Sequence, residues 1–186
     1  LHVCDNHREA KFILNSGAVL IDQRVVRKPK SPVGLMDVIS LPNMKKHYRT
    51  MLDDHGRLQF VEIKAAEAKW KLLRVEDKTV VKGGKIQLNL HDGTNTLSDK
   101  KVKTGDVLQI SLPDMKIKNI IEFKEGSQAF ITGGSHVGSI SEIKGIEITR
   151  STKPNLVMYD DFQTIKPYSF VVGDKKALVT LPEVKL

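Results

Sequence analysis

One cysteine, one tryptophan and an aromatic share of 5% are what this 186-residue chain has least of. A single thiol, Cys4, excludes an internal disulfide framework and any zinc site built from several thiolates. A reducing, intracellular compartment is its simplest setting. With so few rings, any core must be aliphatic. No apolar run approaches the roughly 20 residues that a membrane helix needs. No basic amphipathic stretch with Trp or Phe anchors points to a membrane surface, and no signal peptide opens the chain. The first residue is Leu1 rather than Met, so further residues are expected before it.

What is present is globular in composition, with 40% hydrophobic and 28% charged residues, and strongly basic, with a formal charge of +8. The excess is uneven. Residues 1–50 carry +5 of it, residues 51–125 carry +2 and residues 126–186 carry +1. Arg24, Arg27, Lys28 and Lys30 form the densest cluster, followed by Lys45, Lys46 and Arg49. Such a block reads as an anion surface, with nucleic acid the commonest partner. A solvated lysine-rich face that binds nothing is as good a reading of charge alone.

Asn6 and Glu9 have the spacing of a capping box, Ala10, Ile13 and Leu14 fall on one helical face, and Gly17 suits a helix end. Ala18 to Val26 reads as a hairpin turning at Asp22-Gln23, and Val33 to Leu41 as a strand ending at Pro42. Tyr48 to Leu52 and Leu58 to Ile63 read as paired strands around Asp54-His55-Gly56, and Ala65 to Trp70 as one or two helical turns. From Leu72 onward the pattern is strands and turns, with short strands after Ile120 that suggest a small barrel. Three modules are expected, with boundaries near Pro42 and Ile121. A short echo links Gly34-Leu35-Met36-Asp37-Val38-Ile39-Ser40-Leu41-Pro42 with Gly105-Asp106-Val107-Leu108-Gln109-Ile110-Ser111-Leu112-Pro113. It is too short for a repeat and reads as similar local geometry.

No catalytic constellation emerges. His91-Asp92-Gly93 and Asp53-Asp54-His55 sit where hairpin turns favour Asp and Gly for backbone reasons, and neither has the spacing of a metal motif. Gly83-Gly84 and Gly133-Gly134 lack the Walker pattern and precede no helix. Trp70 reads as core rather than as a base-stacking platform.

Particular residues carry a resemblance. Arg8-Glu9-Ala10-Lys11, Ile13-Leu14, Gly17, Val19-Leu20-Ile21-Asp22 and Val25 resemble the second half of an S4-type RNA-binding module. Glu67-Ala68-Lys69-Trp70-Lys71-Leu72 and Gly83 through Gly93 closely resemble the central region of the S4e family, small-subunit ribosomal proteins of archaea and eukaryotes. Gly126, Ile131-Thr132-Gly133-Gly134, Gly138 and Ile143 look like its KOW motif. The lean sequence suggests an archaeal member. Two departures stand out: the loop Ser135-His136-Val137-Gly138-Ser139 lacks the family's basic residues, and Thr94 follows the His-Asp-Gly turn.

The resemblance implies a β-rich α+β protein. An incomplete S4-like module (1–43) is expected to precede a mixed β central domain (44–121) and an SH3-like barrel of KOW type with C-terminal strands (122–186). It implies a structural constituent of the small ribosomal subunit, not an enzyme, with no cofactor, no metal and no small-molecule substrate. Its partners would be small-subunit rRNA and neighbouring small-subunit proteins, on the ribosome in the cytoplasm. Low aromatic content with clustered Lys and Arg suits binding through phosphate and shape. Arg8, Lys11, Arg24, Arg27 and Lys28 are the first candidates for rRNA contact, and Lys30, Lys45, Lys46 and Arg49 the second rank. An RNA-modifying enzyme and a KOW-type transcription-elongation factor are the alternatives. They would require a catalytic cleft and a polymerase-binding domain, which the sequence does not display.

Overall fold

Asn6 and Glu9 begin the first element by capping each other. The Asn6 side chain accepts the Glu9 N–H at 3.0 Å, and its amide donates to Glu9 Oε1 at 2.7 Å. The helix α1 (His7–Asn15) follows, and Gly17, at φ 75°, takes the left-handed conformation just past its end. The structure, a computed structural model, describes residues 3–98 and 101–181. Among them α1 is the single α-helix, and the rest is strands, turns and three short 3-10 segments. No described helix is long and apolar enough to cross a membrane.

Antiparallel strands β1 (Leu20–Ile21), β2 (Arg24–Val25), β3 (Val38–Leu41), β4 (Lys46–Leu52) and β5 (Leu58–Ile63) form one sheet in the order β2-β1-β3-β4-β5. β3 pairs with β4 across Pro42, with Leu41 opposite Lys46. The boundary expected near Pro42 therefore falls inside a sheet. Proline closes β3, but only the 3-10 turn Pro42–Met44 and its cap Lys45 separate it from its partner. Met36, at φ 70°, kinks the chain ahead of β3, so the strand is shorter than the Val33–Leu41 run suggested.

The second sheet contains β6 (Trp70–Val80), β7 (Ile86–Leu90), β8 (Asn95–Ser98), β9 (Val107–Ser111) and β10 (Ile117–Ile121), in the order β10-β9-β6-β7-β8. β6 changes partner half-way. Trp70 to Arg74 pair with β9, and Val75 to Val80 pair with β7 through an irregularity at Val75–Asp77. The expected helical turns at Ala65–Trp70 shrink to the 3-10 segment Glu67–Lys69, because Trp70 already belongs to β6.

The last stretch holds β11 (Gln128–Ile131), β12 (Ile140–Glu142), β13 (Gly145–Glu147), β14 (Leu156–Met158), β15 (Gln163–Ile165) and β16 (Ser169–Gly173). They make two three-stranded sheets, β12-β11-β16 and β13-β14-β15. The sequence pattern does not mark β15, whose three residues lie between a turn and the segment Lys166–Tyr168.

The main core spans all of these sheets. Met36, just ahead of β3, and Met51 from the first sheet meet Leu72 and Val107 from the second, and Phe130, Val157 and Phe170 from the last two. Three separate module cores are thus replaced by one large shared core, with smaller ones around Leu73–Leu108 and Ile39–Tyr48. As composition required, these cores are mostly aliphatic.

Candidate nucleic-acid interface

The β1–β2 hairpin turns through Asp22 and Gln23, both at positive φ (50° and 64°). Asp tolerates that conformation better than most side chains, and Gln has no special affinity for it. Tertiary bonds hold the turn. Asp22 Oδ1 accepts the Val38 N–H at 3.0 Å, and Oδ2 accepts from Lys71 Nζ at 2.7 Å. Gln23 Nε2 donates to the Ala68 carbonyl at 3.1 Å. The hairpin is therefore anchored by its tip, and Arg24, the next residue, emerges exposed at the rim of a cleft of about 600 Å³. Asp22, Asp37, Lys71, Asn95, Leu112 and Pro113 also line this cleft.

Arg27, Lys28 and Lys30 follow on the exposed connection toward β3. Lys28 also lines a groove of about 360 Å³ between α1 and the first sheet, beside Ala10, Ile13 and Leu14. Arg8 and Lys11 are exposed on α1, three residues apart. Lys45 and Lys46 lie exposed at the tip of the β3–β4 hairpin, and Leu41 from that hairpin reaches the same groove. Arg8, Lys11, Arg24, Arg27, Lys28, Lys30, Lys45 and Lys46 make no ion pair among the described residues. Their charge is open to solvent.

Arg49 is different, and its assignment to the surface is corrected. Its side chain is 0% exposed. The guanidinium lies 3.3 Å from Glu67 Oε1, donates to the Glu67 and Trp70 carbonyls at 3.2 and 3.1 Å, and stacks over the Trp70 ring at 4.9 Å. Burial lowers its pKa to about 10, against the pull of Glu67. It cannot reach a phosphate. Glu67 also accepts from the Thr180 N–H and hydroxyl at 3.0 and 2.7 Å, so Arg49 helps tie the first sheet to the C-terminal segment.

A second buried cation lies under the cleft. Lys71 Nζ donates to Asp22, Asp37 and Asp92 at 2.7, 2.9 and 2.9 Å. Desolvation would discharge Lys71, but the three carboxylates outweigh it and hold its pKa above the ordinary value. Burial pushes Asp22 up despite Lys71. Burial also opposes ionisation of Asp92, yet bonds from Thr94 and Lys71 bring it below its usual value. One ammonium thus joins the β1–β2 turn, the bend before β3 and the β7–β8 turn.

Other candidates resolve into turns. Asp53 Oδ1 accepts the His55 and Arg57 N–H groups at 2.9 and 2.7 Å, so it caps its hairpin turn. Asp53, Asp54 and His55 offer ligand atoms within 4.8 Å of one another, on an open surface. Asp92 Oδ1 accepts from Thr94 in the expected turn. The sequence echo is local geometry: Asp37 accepts the Gly34 N–H and Asp106 the Lys103 N–H, each three residues back, just before a strand.

The family described as Ribosomal family S4e matches residues 44–117. Over 98% of its length the chain is 44% identical to the small ribosomal subunit protein eS4 of Methanothermobacter thermautotrophicus, covering 77% of that relative. The eS4 protein of Methanocaldococcus jannaschii is also 44% identical, over 97% of this chain and 79% of its own length. The chain belongs to the S4e ribosomal family. The crystal structure of the 30S ribosomal protein S4e from Thermoplasma acidophilum superposes with a TM-score of 0.84 at 40% identity, covering 94% of this chain and 91% of that one. The relatives are archaeal, as the lean sequence suggested.

In this S4e chain the sequence reading missed Lys71 and its three carboxylates as a unit. Asp22 and Asp92 read correctly as turn residues, which hid their second task. The available signal was Lys71 itself, placed between Trp70 and Leu72-Leu73 where a strand faces the core. Arg49 carried a similar signal, flanked by Tyr48, Thr50 and Met51, all buried.

Proposed function

We propose that this chain is a structural constituent of the small ribosomal subunit. It binds small-subunit rRNA through backbone phosphates and shape. It is not an enzyme, and its place is on the ribosome, in the cytoplasm. The observation that carries the reading is the open cationic segment Arg24, Arg27, Lys28 and Lys30, free of ion pairs among the described residues and set on an anchored hairpin. Its rigid base spares RNA binding the entropy of ordering the turn. Arg8 and Lys11 extend the surface along α1, and Lys45 and Lys46 extend it along the β3–β4 hairpin. Arg49 is not part of it. Family membership supports the choice of rRNA over other polyanions, since the relatives are named as small-subunit ribosomal proteins.

On this reading α1 with β1 to β3 is the S4-like element, and residues 122–181 form an SH3-like barrel of KOW type. The paired three-stranded sheets support the barrel. The shared core fixes these parts against one another, so the protein meets folded rRNA as one body and holds neighbouring RNA helices in place. Other small-subunit proteins are its further partners.

The test is a salt titration of binding to small-subunit rRNA and to an unrelated RNA of equal length. Tighter binding to the rRNA with a steep log–log slope is expected. Arg24→Ala with Arg27→Ala removes two phosphate contacts and shallows that slope by roughly 1.4 to 1.8. An unchanged slope would remove these two residues from the interface.

A further inference from the structure

The β14–β15 hairpin turns through Tyr159-Asp160-Asp161-Phe162, closed by the Tyr159 N–H donating to the Phe162 carbonyl at 2.9 Å. The rings at the base of this turn stack at 4.8 Å, with 23° between their planes. His136 continues the stack on Phe162 at 4.1 Å and 16°. The inner end is fixed: Tyr159 is buried, and its hydroxyl donates to Ser169 Oγ at 2.8 Å. The outer end is exposed His136, in the Gly133–Gly138 loop that lacks basic residues. In a chain so poor in aromatics, a stack of three rings running from core to surface is a built feature.

The charge around it opposes that of the whole chain. Asp160 and Asp161 occupy the turn's tip. Asp161 makes no side-chain bond among the described residues. Asp160, 66% exposed, meets only Lys144 at 3.6 Å, and Lys144 lies nearer Glu142 at 3.3 Å. The His136 loop also packs on the Asp53–Gly56 turn. Gly138, at φ 82°, lies so close to the Asp53 carbonyl that an added Cβ would sit 2.5 Å from it, and Val137 lies against Gly56. Asp54 on that turn is 72% exposed, with one carboxylate oxygen 2.6 Å from His55 Nδ1. Asp53, Asp54, Glu142, Asp160 and Asp161 thus outnumber Lys144, Arg57 and His55 here, on a protein of net charge +8.

We propose that this surface docks an arginine-rich segment of a neighbouring protein. A guanidinium is planar. It can continue the His136–Phe162 stack and present its N–H groups to Asp160 and Asp161 beside Phe162. A lysine could satisfy the carboxylates but not the stack. A single-stranded RNA could lay a base on His136, but its phosphates would then lie among carboxylates. The inference deepens the ribosomal reading: proteins that neutralise rRNA carry basic segments, and an acidic, ring-faced surface on one of them suits the basic segment of another.

The probe is a labelled peptide of alternating Arg and Gly, with a Lys-for-Arg counterpart, titrated against the whole chain by fluorescence anisotropy. Saturable binding of the Arg peptide is expected, with the Lys peptide about three-fold weaker. Asp160→Asn with Asp161→Asn should weaken the Arg peptide about five-fold. His136→Ala, at an exposed position, should abolish the preference for Arg over Lys. Equal binding of both peptides, untouched by these variants, overturns the proposal. So does a uridine-rich RNA strand that binds more tightly than the Arg peptide and loses affinity in His136→Ala. Affinity for rRNA, measured on the same variants, should not fall. If it holds while peptide binding fails, the docking surface is lost and the ribosomal reading stands.

Discussion

Arg24 and Lys71 carry the same charge and lie on opposite sides of one turn, yet they do opposite work. Arg24 stands in solvent with no ion pair among the described residues. Lys71, 2% exposed, is surrounded by three carboxylates. Arg27, Lys28 and Lys30 follow the first pattern and Arg49 the second. Part of the basic composition therefore holds the fold together, and only the remainder stands open to solvent. A surface cation contributes little to stability and much to phosphate binding. A buried, paired cation has the reverse profile, because removing it strands its partners without solvent or counter-charge.

Substitution at the buried cations should break this contrast most strongly. Lys71→Met leaves Asp22, Asp37 and Asp92 facing one another, and a loss of about 3–5 kcal/mol in denaturant unfolding is expected. That loss should shrink on acidification toward the carboxylate range, as the stranded groups take up protons in the folded state more readily than in the unfolded one. A pH-independent loss would show that Lys71 acts by packing alone. Arg49→Ala should cost a comparable amount, about 3 kcal/mol, by leaving Glu67 without its cation and Trp70 without its cover. Thermal unfolding of this variant beside Lys71→Met sets their order.

Smaller effects sharpen the picture. Asn6→Ala removes the cap of α1, with an expected cost of about 1 kcal/mol if the helix is coupled to global unfolding. Amide exchange confined to α1 would show local fraying instead. His91 tests the same principle by pH. Its Nδ1 accepts the Arg74 N–H at 3.2 Å, and its ring meets Phe170 edge-on at 5.3 Å. Burial first of all lowers its pKa below the ordinary 6.5. The unfolded chain then binds the proton more readily. The His91 contribution should be intact above about pH 6.5 and fade as pH falls through the lowered value. His91→Gln should flatten that part of the stability profile. At the far end of the scale, Arg24→Ala with Arg27→Ala should move stability by no more than about 0.5 kcal/mol. The same pair should still change the salt dependence of rRNA binding.

Local chemistry made much of this architecture readable. The Asn6–Glu9 box, the Asp22-Gln23 turn and the paired strands around Asp54-His55-Gly56 each depend on residues close in sequence, and each lies where the pattern put it. What escaped depends on contacts made across long separations. Nothing near Pro42 says that β3 will pair with β4 rather than end a module. Nothing near Arg49 announces Glu67 or Trp70. The eight exposed cations remain a proposal for rRNA, because charge patterning identifies a surface without identifying its ligand. The His136 stack was hidden more deeply, since its three rings come from two loops whose approach only the fold reveals.

The split pairing of β6 sets an order of events for a chain made from its N-terminus. Val75 to Val80 find β7 after a short turn, so that hairpin can close as soon as Leu90 exists. Trp70 to Arg74 must wait for Val107 to Ser111, because their partner strand is β9. Lys71 lies in the waiting half. It can meet Asp22 and Asp37 early, but Asp92 joins it later and the cover of β9 later still. Closing such long-range pairs is slow compared with closing a hairpin. During synthesis the hairpin that bears Arg24 therefore takes its final set late, after more than half of the chain has been made.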